Sequence, residues 1–423
     1  MKKSAKKFVR SLGPGLITGA ADDDPSGIAT YSQAGSHFRF SLVWTLLLTT
    51  PLMIGIQMLS ARIGWVTGEG LAANINKMFP RWLTTLLVGL LVVANTINIA
   101  ADIGAMGEAV RLLVGGSLPL YVVAFGVLCV ATQVFFSYES TVRILKWLTL
   151  ALFAYVAVIL TVQVPWKQAI SESVYPWTFF PENTSLRDYS SMVVAVLGTT
   201  ISPYLFFWQA AQEVEDGKRR PEANELRFHP DYAAEHLTRI KQDTYTGMIF
   251  SNVIALCIVI ATAITLNMEG IVNIQTSSQA AEALRPVAGD FAFAVFALGI
   301  IGTGLLAVPV LAGSAAYAVS ELYGWKAGLS HGFHEANGFY IIIIAATGIG
   351  TLMGYYEVDP IRALVWSAIV NGVISVPIMA ALMWIGQSKK MMGNYTISAR
   401  HRFFGWSATT IMAIAVISMF ATL

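Results

Sequence analysis

The stretch Ala20-Ala21-Asp22-Asp23-Asp24-Pro25-Ser26-Gly27 puts three consecutive carboxylates between two apolar runs, Leu12–Ala21 and Ile28–Ala34. A carboxylate at bilayer depth costs roughly 2.5–3.5 kcal/mol on insertion scales. Proline, serine and glycine directly after the acids are residues that interrupt a helix and release backbone carbonyls. The segment therefore reads as a membrane helix broken at an acid. Irregular backbone at that depth is tolerated where it lines a cavity, and it marks an ion site in a transporter.

Composition supports a membrane protein. Hydrophobic residues make up 55% of the 423-residue chain and charged residues 12%, about half the soluble average. A net charge of +2 excludes a nucleic-acid partner of the usual basic kind. Cys129 and Cys257 both lie in apolar runs, without metal-type spacing, and read as packing residues. The basic segment Met1–Lys7 lacks a clean cleavage site and is expected to stay on the mature chain.

Apolar windows long enough to cross ~30 Å of hydrocarbon predict eleven spans: 11–37, 41–62, 82–106, 118–137, 143–164, 189–214, 242–267, 288–322, 336–356, 361–386 and 403–422. No separate soluble domain is expected, and Glu213–Lys241 reads as a charged linker with one short helix. Of the 27 lysines and arginines, all but Arg39, Arg111, Lys167, Arg187, Arg285 and Arg362 fall on one side if the N-terminus is cytoplasmic. The positive-inside rule then places the N-terminus inside and the C-terminus outside.

The sixth span, Met192 to Phe207, carries Gly198 and Pro203 with Thr199, Thr200 and Ser202 between them. The first helix of each of two five-helix units is thus interrupted at matching depth. Five being odd, the second unit enters from the opposite face. This predicts inverted repeats over 11–164 and 189–386 plus a last helix at 403–422, all in one transmembrane domain. Carbonyls and C-terminal dipole ends at such breaks attract cations, and a carboxylate supplies compensating charge. Asp24 lies directly against the break; Asp22 and Asp23 are either part of the site or solvated at the cytoplasmic edge.

Gly13-Pro14-Gly15, Asp24-Pro25-Ser26-Gly27, Ala29-Thr30-Tyr31-Ser32-Gln33-Ala34-Gly35 and Ser60-Ala61-Arg62-Ile63-Gly64-Trp65-Val66-Thr67-Gly68 together resemble helices 1 and 2 of the Nramp divalent-metal transporters. Ser202-Pro203 stands where that family has Met-Pro, and the likeness runs in span order through most of the chain, loosely over helices 8 to 11. The resemblance implies an all-α integral membrane protein of the LeuT-type fold, moving divalent metal ions by alternating access. The ion is substrate, and no cofactor is implied. The family site uses an Asp and an Asn from helix 1, and a Met and backbone carbonyl from helix 6. Carried over by position, these are Asp24, Gly27, Ser202, and the carbonyls of Ala21 and Thr199.

The departures carry expectations of their own. A thioether suits transition metals, whereas Ser202 offers a hard oxygen. Gly27 removes a ligand and is expected to leave space. An oxygen-lined site with fewer protein ligands suits Mg²⁺, which keeps part of its water shell. The pattern resembles the Nramp-related magnesium transporters, with Mn²⁺ also carried. The family's helix-6 histidines fall on Tyr204 and Gln209, and the second acid of a helix-3 pair on Ala105, leaving Asp102. These changes imply uncoupled transport, driven for a divalent ion by roughly 4.6 kcal/mol per 100 mV. The alternatives are a proton-coupled Mn²⁺/Fe²⁺ importer and a sodium-coupled solute symporter of the same fold.

Asp102 is either a vestibule acid or a hydrogen-bonded packing acid, and Glu108 reads as solvated near the outer interface. Asn371, Asn95 and Asn98 are either site-lining amides or interhelical hydrogen bonds. Gln209 and Gln212, one turn apart, can line a passage toward Glu213, Glu215 and Asp216, which are either a solvated helix end or an acidic vestibule. His331-Gly332-Phe333-His334 reads as a loop, Ala312–Ala316 as close helix packing, and Asp359-Pro360 as a turn. An intramembrane aspartyl protease would need two opposed acids sharing a proton, and nothing flanking Asp24 or Asp102 supports one. The chain is expected to be no enzyme and to work as a monomer in the plasma membrane, with the divalent ion and the lipid bilayer as its partners.

Overall fold

The computed structural model of the protein describes residues 14–135, 148–176, 184–218, 230–356 and 360–422, and these contain helices and turns but no strand. The basic residues Lys2–Arg10, Arg219 and Arg220 and the turn residue Asp359 lie outside the described residues.

The first span divides into α1 (Pro14–Asp22) and α2 (Pro25–Phe38). Asp24 between them is extended, at φ −67° and ψ 170°, and its Oδ1 accepts the Gly27 amide at 2.6 Å. Pro25 has no amide to leave unpaired in the first turn of α2. The sequence thus writes both the stop and the restart: the same carboxylate that carries charge also caps the new helix. The sixth span divides into α9 (Leu186–Thr200) and α10 (Pro203–Lys218) around Ile201 and Ser202. A Ser185/Asp188 capping box starts α9.

The remaining helices of eight or more residues are α3 (Val43–Thr67), α4 (Leu71–Met78), α5 (Arg81–Val114), α6 (Leu118–Phe135), α7 (Phe153–Thr161), α8 (Trp166–Val174), α11 (Pro230–Thr265), α12 (Ala292–Tyr323), α13 (Asn337–Tyr355), α14 (Pro360–Gln387) and α15 (Ala399–Ala421). Nine spans among the described residues are long and apolar enough to cross a membrane, ten if α7 and α8, bent by 112°, form one. Eleven is not reached by that measure. The shortfall falls on α1 and α2, which hold 9 and 14 residues and flank the carboxylates.

Two regions carry more helix than expected. The fifth span, expected over 143–164 with 143–147 outside the described residues, ends in α7 near Thr161, and at Pro165, which cannot donate to a continuing ladder, the chain turns into the additional helix α8. The described residues of the expected linker, 213–218 and 230–241, are helical, belonging to α10 and α11. The polar start of α11 has its own packing face, with Ala233 and Ile240 buried against Ala61 and Trp65.

The broken pair α9–α10 sits at the centre, with 89% of its apolar window buried by protein, against 28% for α6 and 33% for α13 and α15. α9 packs on α14, α12 on α5, and α11 on α1 and α2. Small residues permit this. A Cβ on Gly19 would collide with the backbone of Gly247, and one on Gly198 with the backbone of Ala368 and Gly372.

Candidate ion site at the two helix breaks

Asp22, Asp23 and Asp24 are 1%, 1% and 2% exposed, so none is solvated at an edge. Ser251 of α11 donates its one hydroxyl proton between Asp22 Oδ2 at 2.6 Å and Asp23 Oδ1 at 3.1 Å. The other oxygen of each, Asp22 Oδ1 and Asp23 Oδ2, is buried without a partner. Asp24 Oδ2 faces the Tyr204 hydroxyl at 3.4 Å. No lysine, arginine or histidine pairs with these acids among the described residues; their neighbours are hydroxyls and an amide. A buried carboxylate without a cationic side chain is costly. A bound cation offsets that cost.

Carbonyls come from the last turns of α1 and α9, where no amide of the same helix remains to take them. Ala21 O accepts the Tyr204 hydroxyl at 3.1 Å. Thr199 O and Gly198 O both accept the Ser202 hydroxyl at 2.9 Å. Ala21, Asp24, Thr199 and Ser202 are therefore gathered at the two breaks, with Tyr204 linking one break to the other. Gly27 also lies here, but the expected space does not. A Cβ at Gly27 would stand 3.2 Å from Asp22 O and 3.4 Å from Thr199 Oγ1. The Thr199 hydroxyl and the Tyr31 ring stand against the side of Gly27 where a side chain would start.

Asp102 of α5 is 0% exposed and faces Asp24 and the Ser26 amide. Neither of its carboxylate oxygens makes a well-formed hydrogen bond, and Asn98, one turn earlier, is equally buried and unpartnered. Asn95 is an interhelical bond, donating to Leu311 O at 2.9 Å and Ser314 Oγ at 2.7 Å. Asn371 is buried on α14, its Oδ1 without a partner. It follows by one turn Ser367, which meets Ser26 at 3.1 Å. Gln209 stands in a separate buried chain: Gln57 donates to it at 2.5 Å, and it donates to Thr244 at 2.9 Å.

The acids after Gln209 are partnered rather than a freely solvated helix end, and Glu215 lines a cavity there. Arg239 holds Glu213 at 2.6 Å and Asp216 at 3.1 Å, while Glu215 accepts from the Tyr317 hydroxyl and, at 2.8 Å, from the Leu329 amide. His331 pairs with Glu335 at 3.1 Å and lines, with Glu69, Lys218 and Glu321, a cavity of about 230 Å³ at that end. Gly313, within the small-residue run, faces the Trp208 ring. At the opposite end, Gln33 bonds Asn273 at 2.9 Å and Ser36 bonds Ile271 O at 3.0 Å, fastening α2 to the loop after α11. Glu108 pairs with Arg111 at 2.8 Å. The sequence reading missed Ser251, Asp243 and Arg239. Asp243 accepts the Gly15 amide at 2.6 Å and so caps α1. Ser251-Asn252, a polar pair in the middle of an apolar helix, was the available signal.

Two helices broken at the centre of a membrane bundle, one of them at an acid, define a LeuT-type transporter fold. Solved structures agree: a manganese transporter of Eremococcus coleocola (TM-score 0.74, 18% identity, 99% of this chain and 87% of that one) and the nucleobase-cation-symport-1 family transporter Mhp1 in a closed conformation (0.57, 14%, 97% and 90%). The particular family follows from residues 15–422, which match the model described as Nramp, natural resistance-associated macrophage protein-like. The chain belongs to the Nramp family. Relatives include proteins named divalent metal cation transporter MntH from Verminephrobacter eiseniae (25% identity, covering 100% of this chain and 90% of the relative) and Acidiphilium cryptum (26%, 91% and 84%).

Proposed function

We propose that this protein carries divalent metal cations across the membrane by alternating access, with Asp24 as the charged ligand and Ala21 O, Thr199 O and Ser202 Oγ as neutral oxygens. One observation carries the reading: Asp24 is buried at a helix break, near last-turn carbonyls and with no basic partner among the described residues. No cluster of three histidine, cysteine or acidic side chains fit to hold a metal occurs among the described residues. The donor set is accordingly one carboxylate plus backbone and hydroxyl oxygens.

Relatives covering the whole chain are named for divalent metal cations, and a structural neighbour for manganese. This favours a manganese-type importer, the proton-coupled alternative of the sequence reading, over the Mg²⁺ carrier expected from Ser202 and Gly27. The magnesium expectation gains nothing from these relatives, and the filled space at Gly27 removes one of its supports. Its remaining support is the all-oxygen donor set. Asp102, Asn98 and Asn371 would border the ion path, and Gln209 would act at a distance, through its chain to Gln57 and Thr244. The two five-helix units would rock around the breaks in a monomer with its N-terminus cytoplasmic and its C-terminus outside.

Proteoliposomes with an internal pH dye test this. Mn²⁺ uptake with acidification, weakly inhibited by Mg²⁺, is the expected result. Mg²⁺ flux silent in pH would restore the uncoupled hard-ion reading, and no divalent flux at all would refute both.

A further inference from the structure

We infer that the Tyr204 hydroxyl is an internal stand-in for the cargo, holding the charged half of the site together while the carrier returns unloaded. The inference rests on the transport reading above and adds a mode to it: net movement instead of one-for-one exchange. Tyr204 is 1% exposed, at the start of α10, and its hydroxyl lies 3.1 Å from Ala21 O and 3.4 Å from Asp24 Oδ2. Those are two of the oxygens a cation at this break would need. A phenolic hydroxyl has one proton to donate and lone pairs to offer. It can therefore cover these oxygens as a donor, or turn and present its own oxygen to a cation that takes them.

Ser202, two residues earlier, does the same at the other break, covering Gly198 O and Thr199 O. One segment, Ser202-Pro203-Tyr204 at the start of α10, thus covers oxygens at both breaks. The physical consequence concerns the return step. Closing a protein over an unpaired carbonyl and carboxylate incurs the desolvation cost of both groups, and a shared hydroxyl donor lowers that cost without cancelling it as a bound cation does. A carrier without such a stand-in can cross back only with cargo bound, which limits it to exchange.

The test compares two fluxes of Mn²⁺ in proteoliposomes at equal pH and zero voltage: uptake into vesicles lacking Mn²⁺, and exchange into vesicles preloaded with it. In the unmodified protein net uptake should lie within about tenfold of exchange, since a tenfold gap already marks a substantial return barrier. A slower net flux than that overturns the inference without any variant. Tyr204→Phe should lower the ratio of net uptake to exchange by about tenfold. An unchanged ratio overturns the inference, whether both fluxes fall together, as for a plain ligand or packing residue, or neither falls. If the unmodified protein moves Mn²⁺ in neither mode, the transport reading itself fails, a result distinct from a loss confined to net flux.

Discussion

The two breaks are built from different chemistry. The first interrupts its helix with acids: Asp22 ends α1 and Asp24 caps α2, so charge and the break in the helix share the same residues. The second interrupts its helix with hydroxyls and a proline, and Ser202 folds back on Gly198 O and Thr199 O. Charge resides at one break and adaptable neutral oxygens at the other. Attraction of a cation should therefore depend on the first, and discrimination among cations on the second.

The strongest way to break that division is to remove the charge while keeping the fold. Asp24→Asn retains an N-cap acceptor for the Gly27 amide, since asparagine caps about as well as aspartate. Mn²⁺ uptake should fall at least about a hundredfold, as expected when a charged ligand is lost from a buried site, with little change in melting temperature. Asp24→Ala should abolish uptake as well and lower stability by about 1 kcal/mol through the lost cap. Uptake surviving in a folded Asp24→Asn protein would move the charge requirement to Asp22, Asp23 or Asp102.

A second test acts on the packing behind the hydroxyl break. Gly198 touches the backbone of Ala368 and Gly372, so a Cβ there has no room. Gly198→Val should prevent α9 from seating on α14 and cost about 3 kcal/mol or more by overpacking, read as loss of a monodisperse protein in detergent. Ordinary stability of that variant would mean that the two helices are less tightly docked than 89% burial of the central span indicates.

Much of this arrangement was legible in the chain itself. Charge next to proline and glycine in an apolar run located the first break, and Pro203 near Gly198 located the second, because breaking residues and hydrophobic length are local signals. The helix ends followed less well. Apolarity marks where a helix meets hydrocarbon, but α11 continues twelve residues beyond its expected start at 242, on contacts to Ala61 and Trp65 that lie far away in sequence. The partners of buried groups were not legible at all. Nothing local tells that Ser251 meets Asp22 and Asp23, that Asp243 caps α1, or that Thr199 fills the place expected to be open beside Gly27.

Ser202→Met tests discrimination directly. A thioether in place of the hydroxyl supplies a soft donor, so the ratio of Cd²⁺ to Mg²⁺ uptake should rise about tenfold. The same change frees Gly198 O and Thr199 O from the Ser202 hydroxyl, making them more available to any cation. An unaltered ratio would place Ser202 outside the ligand shell and leave the hydroxyl a purely structural role at the break.

The smallest expected effect separates side chain from backbone at Thr199. Its carbonyl is held by Ser202, while its hydroxyl oxygen points at Gly27, 3.4 Å from where a Cβ there would sit. Thr199→Val keeps the β-branched shape and the helix, so folding should be nearly unchanged. If the hydroxyl is one of the neutral oxygens around the cation, apparent affinity for Mn²⁺ should weaken about threefold, the scale of one modest polar contact. If only the carbonyl matters, affinity stays where it was. Either result sharpens the contrast between the breaks. The acid break works through side chains, and Thr199→Val asks whether the hydroxyl break does so too or presents only its backbone.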